Sequence, residues 1–215
     1  MLILCEISNN TLACGMIIDR RLAGVSGRAA TVNFAEKRES ARKALQSLVS
    51  DADRREIFRQ RPCTIWLTGL LSSGKRKIAR ELEKLLVSSG HPCVVIEGGE
   101  LRKTLDAELG FSPSDSREHI RRAAETSRLI NSGGIICVSS FISPLKSLRG
   151  MAMEIIGEAN FIEVHVKAGK DWCAANDETG LYRKAQDGDI KNLPGVSSSY
   201  EEQISPDLKT EDEKT

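Results

Sequence analysis

No charge of one sign dominates the 215-residue sequence: 31 basic residues stand against 30 acidic ones, a formal net charge of +1. A chain so balanced has no overall field to recruit nucleic acid or an anionic membrane, so any anion site must be local. Aromatic residues make up only 4% of the chain, yet hydrophobic residues reach 40%, enough for the core of one ordinary domain plus appendages. No apolar run is long enough to span a membrane, and the opening "MLILCEISNNTLACGMII" is broken by polar residues and lacks the basic start of a signal peptide. The six cysteines (Cys5, Cys14, Cys63, Cys93, Cys137, Cys173) form no CxxC pair and lie mostly in apolar runs. That favours reduced core thiols over a disulfide framework or a zinc site. Together these absences lead to the expectation of a globular cytoplasmic protein with neither nucleic acid nor membrane as a partner.

What is present changes in texture near residue 60. Residues 1–60 read as an appendage: an apolar stretch ending in "GMIIDR", a Gly/Ala/Ser-rich passage "LAGVSGRAATVN", and "AEKRESARKALQSLVSDADRREIFRQR", whose charge density predicts an exposed helix. From Pro62 onward, apolar runs alternate with amphipathic segments. "CTIWLT", "CVVIEG", "GGIICVSSF" and "FIEVHV" are predicted strands. Ile78, Leu82, Leu85 and Leu86 fall at helical spacing. Ser114 or Asp115 is placed to cap a helix through Asn131, with Glu118 as a capping-box partner, and "PLKSLRGMAMEIIG" reads as a helix opened by proline. This alternation predicts an α/β fold, a parallel sheet with helices on both faces. The polar end, residues 209–215, is expected to be a charged tail with too few apolar residues to order itself.

The stretch "GLLSSGKRK" carries the spacing Gly69-x-x-x-x-Gly74-Lys75 at a strand-to-helix junction. In that context glycines let backbone N–H groups converge on phosphate oxygens, the helix N-terminus adds partial positive charge, and the lysine reaches the terminal phosphates. Residues Gly69, Leu70, Leu71, Ser72, Ser73, Gly74, Lys75 and Arg76 are therefore the candidate nucleotide-binding loop. Its last position should offer a Ser or Thr hydroxyl to magnesium, and Arg76 stands there instead. Ser72 occupies a position that crowds the turn if a positive φ is needed.

Taken together, "TIWLTGL", "SGK", "GFSPSDSREHIRRAAE", "SSFISP", "GEANFIEVHV", "GLYRKAQDGDIKN" and "SSSYEEQISPDL" resemble the adenylyl-sulfate kinase family over roughly residues 60 to 208. The resemblance implies a P-loop kinase fold, transfer of the ATP γ-phosphate to the 3'-hydroxyl of adenylyl sulfate, Mg2+ as the ATP counter-ion, and a homodimer. "EISNNTLACGMII" is similar to the closing strand of the large subunit of ATP sulfurylase, which is fused ahead of this kinase in some bacteria, so ATP sulfurylase is an implied partner. The family continues past "PDL" through a further strand and helix, whereas the sequence runs only to Thr215, which predicts exposed sheet surface.

The family's residues carry over unevenly. Its Asp-Gly-Asp-Asn reads Glu97-Gly98-Gly99-Glu100, so Glu97 is the implied catalytic carboxylate and weak Mg2+ ligand. Arg102 matches a substrate-contacting arginine, and Phe111 matches an aromatic that stacks on adenine, opposite a position filled by Leu193. The family's Asp-Arg-x-Glu-Asn reads Asp115-Ser116-Arg117-Glu118-His119, so the arginine has slipped one place, about 100° round a helix. Arg117 and His119 remain candidate substrate residues, His119 either as a hydrogen-bond donor or as a solvent-facing helix histidine. Ile142 and Ser143 lie in the intact "SSFISP"; Ser143 matches a serine described in the family as a phosphoserine intermediate, with capping of the next helix as its competing role. Catalysis would thus rest on Lys75, Glu97 and Ser143. The rival reading is a catalytically impaired nucleotide-binding or dimerising remnant, favoured by Arg76, Gly99, Ser116, Thr179 and Leu193.

Overall fold

The computed structural model describes residues 47–189, 191–202 and 208–211. The lead-in that is similar to ATP sulfurylase lies outside the described residues. The residues from Leu48 onward form one compact unit, and everything below belongs to it. That unit takes in residues 48–60, assigned to the appendage from sequence. Its first helix, α1 (Asp51–Phe58), is opened by a capping box between Ser50 and Asp53. The following turn is pinned by Gln60, whose Nε2 donates to the carbonyls of Pro92 and Gly134 at 3.0 and 2.8 Å.

The four predicted strands form as β1 (Thr64–Thr68), β2 (Cys93–Glu97), β3 (Ile136–Ser140) and β4 (Phe161–Lys167), separated by α2 (Lys75–Ser88), α3 (Gly98–Leu101), α4 (Pro113–Ser132) and α5 (Lys146–Ile156). Two short helices follow, α6 (Lys170–Ala175) and α7 (Leu181–Gln186), and then β5 (Leu208–Glu211). Among the described residues the sheet is five-stranded in the order β2-β3-β1-β4-β5, and every pairing is parallel. The charged tail therefore does contribute structure. Its residues 209–211, together with Leu208, pair with Val164–Lys167 as an edge strand, whose ladder bonds come from the backbone and do not require apolar side chains.

Alternation along β1 sends Trp66 to one face and Leu67 to the other. On the first face, α4 and α5 cover a core of Trp66, Ile120, Ala124, Phe141, Leu148, Ile155 and Phe161. On the second, α2 covers Leu67, Val138, Val164 and Val166 with Ala79, Ile78, Leu82 and Leu86. Leu85, predicted on this buried stripe, is 63% exposed, because the stripe is centred on Ala79 and Leu86 and a residue one step back is turned about 100° toward solvent. The helix through Asn131 starts earlier than expected: its cap is Ser112, which accepts from Asp115 N at 3.1 Å, with Pro113 in the first turn. Glu118 instead pairs with Arg121 and Arg122. Likewise α5 begins after Leu145, with Pro144 outside it. Cys137 and Cys173 are buried and outside any disulfide, as expected for core cysteines, while Cys63 and Cys93 are half-buried and likewise unbridged. Burial pushes the Cys93 thiol up to about 12, away from any reactive thiolate. Among the described residues no helix is long and apolar enough to cross a membrane.

Candidate active site

Parallel strands bring their carboxyl ends to one edge, and there the chain builds a cavity of about 490 Å³. The loop between β1 and α2 forms its floor. This turn needs positive φ at Gly69 (+155°), Ser72 (+59°) and Gly74 (+87°). At Gly69 a side chain would also collide, since an added Cβ would lie 2.4 Å from the Val166 carbonyl oxygen on β4. The crowding expected at Ser72 is thus real, and an L-residue in this region costs roughly 1 kcal/mol. Gly74 caps α2 without a side-chain hydrogen bond, so the helix presents its first N–H groups and the positive end of its dipole to the cavity. Lys75 is buried, and its Nζ donates to the carbonyls of Gly69 (2.9 Å) and Leu70 (2.5 Å) and to Ser73 Oγ (3.2 Å). Burial holds its pKa down to about 7.

Arg76 turns toward the end of β2. Its Nε lies 2.7 Å from Glu97 Oε2, and Arg80 Nε lies 2.8 Å from Glu97 Oε1, so both oxygens of this buried carboxylate are engaged by guanidinium groups. Gly99 leaves the space that the Arg76 side chain crosses: a Cβ there would meet Arg76 Nη2 at 3.2 Å. Two departures from the expected pattern, Arg76 and Gly99, are therefore one local arrangement. Among the described residues, no group of three or more His, Cys, Asp or Glu side chains is placed to hold a metal ion.

The other end of the cavity is made by α3, α4 and the turn between them. The Arg102 guanidinium lies 4.4 Å from the centroid of the Phe111 ring and donates to Gly110 O at 2.7 Å, so one face of this aromatic is already covered by a cation. His119 lines the cavity but does not face solvent freely: it is 6% exposed, edge-on to Phe141, and its Nδ1 lies 2.5 Å from Asp106 Oδ2. Burial and the nearby Arg102 charge lower the His119 pKa against the opposing pull of Asp106. With Nδ1–H donating to Asp106, Nε2 is left as the acceptor on the cavity side. Asp106, wholly buried, was missed from sequence, because the contact spans 13 residues and follows no helical spacing.

Loop residues Leu71 to Arg76, Glu97, Arg102, Phe111, His119, Ile142, Ser143 and Leu193 all line this one space. Gly69 and Leu70 support it from behind through the Lys75 bonds. Arg117 is exposed and does not line it; Ser116 does, as the one-place slip of the arginine along a helix requires. Ser143 is 1% exposed with φ +38°, accepts from Trp66 Nε1 and donates to Thr68 Oγ1, both at 3.0 Å. It does not cap α5, whose cap, Leu145, makes no side-chain bond. Leu193 packs with Cys173, Tyr182 and Ala185 against Leu70 and Leu71, fixing the 170–195 segment beside the phosphate loop.

A parallel sheet with a glycine-bounded loop running from its first strand into a basic helix defines a P-loop nucleotide-binding protein of the kinase type. The model of the family described as "Adenylylsulphate kinase" matches residues 61–211, and the chain belongs to that family. An adenylyl-sulfate kinase of Vibrio cholerae is 38% identical over 160 residues, 74% of each chain. A "Bifunctional enzyme CysN/CysC" of Rhodopirellula baltica is 37% identical over 203 residues, 94% of this chain and 31% of the relative, so this chain spans about a third of that longer protein. Among solved structures, the Mycobacterium tuberculosis APS kinase CysC in complex with AMPPNP and APS superposes with a TM-score of 0.69 at 34% identity, covering 72% of this chain and 91% of that one.

Proposed function

We propose that the chain binds ATP on the 69–76 loop and transfers the γ-phosphoryl group to the 3'-hydroxyl of adenylyl sulfate. The observation that carries this reading is the continuity of the cavity: one space runs from the uncapped N-terminus of α2 to Arg102 and Phe111. Donor phosphates and an adenine-bearing acceptor can therefore meet within it, and in-line transfer consists mostly of positioning and charge stabilisation. The acceptor oxygen forms the new bond to γ-phosphorus as the bond to the β–γ bridging oxygen breaks and ADP leaves; the hydroxyl proton passes to a base or to water.

In this reading, loop amides and Lys75 grip the phosphates, and Lys75 exchanges its bonds to the Gly69 and Leu70 carbonyls for phosphate oxygens. Arg102 binds the sulfate or phosphate oxygens of the acceptor, while the uncovered face of Phe111 stacks on its adenine and Leu193 closes the opposite side. Mg2+, where the family uses it, would supply charge neutralisation to the phosphates. The residues here do not suit it. Arg76 replaces the hydroxyl ligand, both oxygens of Glu97 are engaged, and a unit positive charge at 4 Å repels another by about 4 kcal/mol in a partly screened site.

That same pair of Arg–Glu contacts favours a second reading, a module that binds both nucleotides with little turnover. A radiometric assay with ATP and adenylyl sulfate, run beside Arg76→Ser combined with Gly99→Asp, separates the two. We expect slow formation of 3'-phosphoadenylyl sulfate by this chain and a faster rate in the double variant. No product under any condition, with both nucleotides bound, would leave the binding module as the correct reading.

A further inference from the structure

Arg76 is held at one end and open at the other. Its Nε forms an ion pair with Glu97 Oε2 at 2.7 Å, Arg80 Nε donates to the second oxygen of the same carboxylate at 2.8 Å, and the terminal nitrogens make no hydrogen bond among the described residues. A guanidinium carries five N–H donors in a planar fork. The Glu97 contact is an ion pair that commits none of the terminal donors, and these four lie on a side chain that is 59% exposed and lines the cavity next to Lys75. Gly99 leaves room for the fork, since a Cβ there would lie 3.2 Å from Arg76 Nη2, tighter than an ordinary contact. Carboxylate, arginine and glycine thus form one built unit at the position where the loop would otherwise present a metal ligand.

We propose that Arg76 is a resident cation that takes the place of a divalent metal, so that this site binds its nucleotide as a metal-free polyphosphate. The inference rests on the reading of the 69–76 loop as a nucleotide site. Glu97 then acts as a positioning residue: its charge, 2.7 Å from Nε, holds the guanidinium beside the cavity and leaves the planar pair of terminal amines for two oxygens of the β- and γ-phosphates, a bidentate geometry that suits phosphate. The net charge added to the site is fixed in the protein, not carried in with the nucleotide.

Calorimetric titration of the full chain with ATP, once in EDTA and once in excess Mg2+, tests this without any turnover. The expected result is affinity in EDTA equal to or tighter than in Mg2+. Arg76→Ser should weaken metal-free binding about 10- to 100-fold, the loss of one or two charge-assisted contacts, and should bind more tightly when Mg2+ is added. Arg76→Lys, which keeps the charge but not the fork, should fall between the two. Parent affinity at least tenfold weaker in EDTA than in Mg2+ would overturn the resident cation while leaving the nucleotide site standing, and so would an Arg76→Ser variant that binds metal-free ATP as tightly as the parent. Absence of ATP binding in both media would overturn the nucleotide site itself, and the inference with it.

Discussion

His119 Nδ1 and Asp106 Oδ2 sit 2.5 Å apart with 8% and 0% of their side chains exposed, and Arg122 Nη1 approaches the other Asp106 oxygen at 3.4 Å. The pair fixes the imidazole with Nε2 toward the cavity, and it ties α4 to the turn that follows α3. Asp106→Ala would leave the buried imidazole without its acceptor, while Arg122 keeps Leu105 O, Glu108 and Glu118, at a cost of about 3 kcal/mol in chemical denaturation. Unchanged stability would show that the contact contributes nothing to the fold.

The same pair sets a pH dependence. Burial and Arg102 place the His119 pKa below the ordinary histidine value of about 6.5 that the unfolded chain retains. Between those two values the unfolded state binds more protons, so the contribution of His119 to stability is present above about pH 6.5 and is lost as pH falls below it. Asp106→Asn removes the one charge that raises the His119 pKa, so its NMR titration midpoint should move lower still.

Lys75 gives the opposite end of the scale. Its folded pKa of about 7 lies below the unfolded 10.5, so the unfolded chain binds more protons between these values and stability rises with pH across that window. Phosphate favours the ammonium form, so nucleotide binding at pH 8 to 9 should take up about one proton and weaken as pH rises. Titrations in buffers of different ionisation enthalpy measure that uptake, and a value of zero would contradict it. Lys75→Met should abolish nucleotide binding while leaving the protein as stable as the parent, or more stable.

Ser72 and Ser143 both sit at positive φ, but only Ser143 has its hydroxyl committed inside the core. Ser72→Gly should therefore stabilise the chain by up to about 1 kcal/mol in thermal unfolding. Ser143→Ala should destabilise it by about 1–3 kcal/mol, because Trp66 Nε1 loses its acceptor. If Ser143 served only this structural part, turnover corrected for folded fraction would survive the substitution; loss of all turnover in a folded variant would restore the covalent serine.

Sequence legibility followed what each feature depends on. β1 to β4 and the loop were readable, because apolar runs and a spacing of glycines are local properties of the chain. β5 was not, because Leu208–Glu211 forms a strand through the backbone edge that β4 offers, a partner more than 40 residues away in sequence. Asp106 escaped because its partner follows no local spacing, and so did Arg149, whose buried guanidinium holds the Ser143 carbonyl at 2.8 Å and pairs with Glu163 at 2.8 Å. Arg76 and Gly99 were each legible as departures from a pattern. That they occupy the same few ångströms became visible only once β2 was laid beside the start of α2.

Gly69 carries a last consequence. An added Cβ would strike the Val166 carbonyl at 2.4 Å, so Gly69→Ala should destabilise the chain by 2 kcal/mol or more, to order of magnitude, in the complete absence of nucleotide. The first glycine of the loop is thus required by the seam between β1 and β4 as much as by any phosphate. Selection for a folded sheet alone would keep it, and a lineage that ceased to use its substrate would go on spelling the opening of the motif.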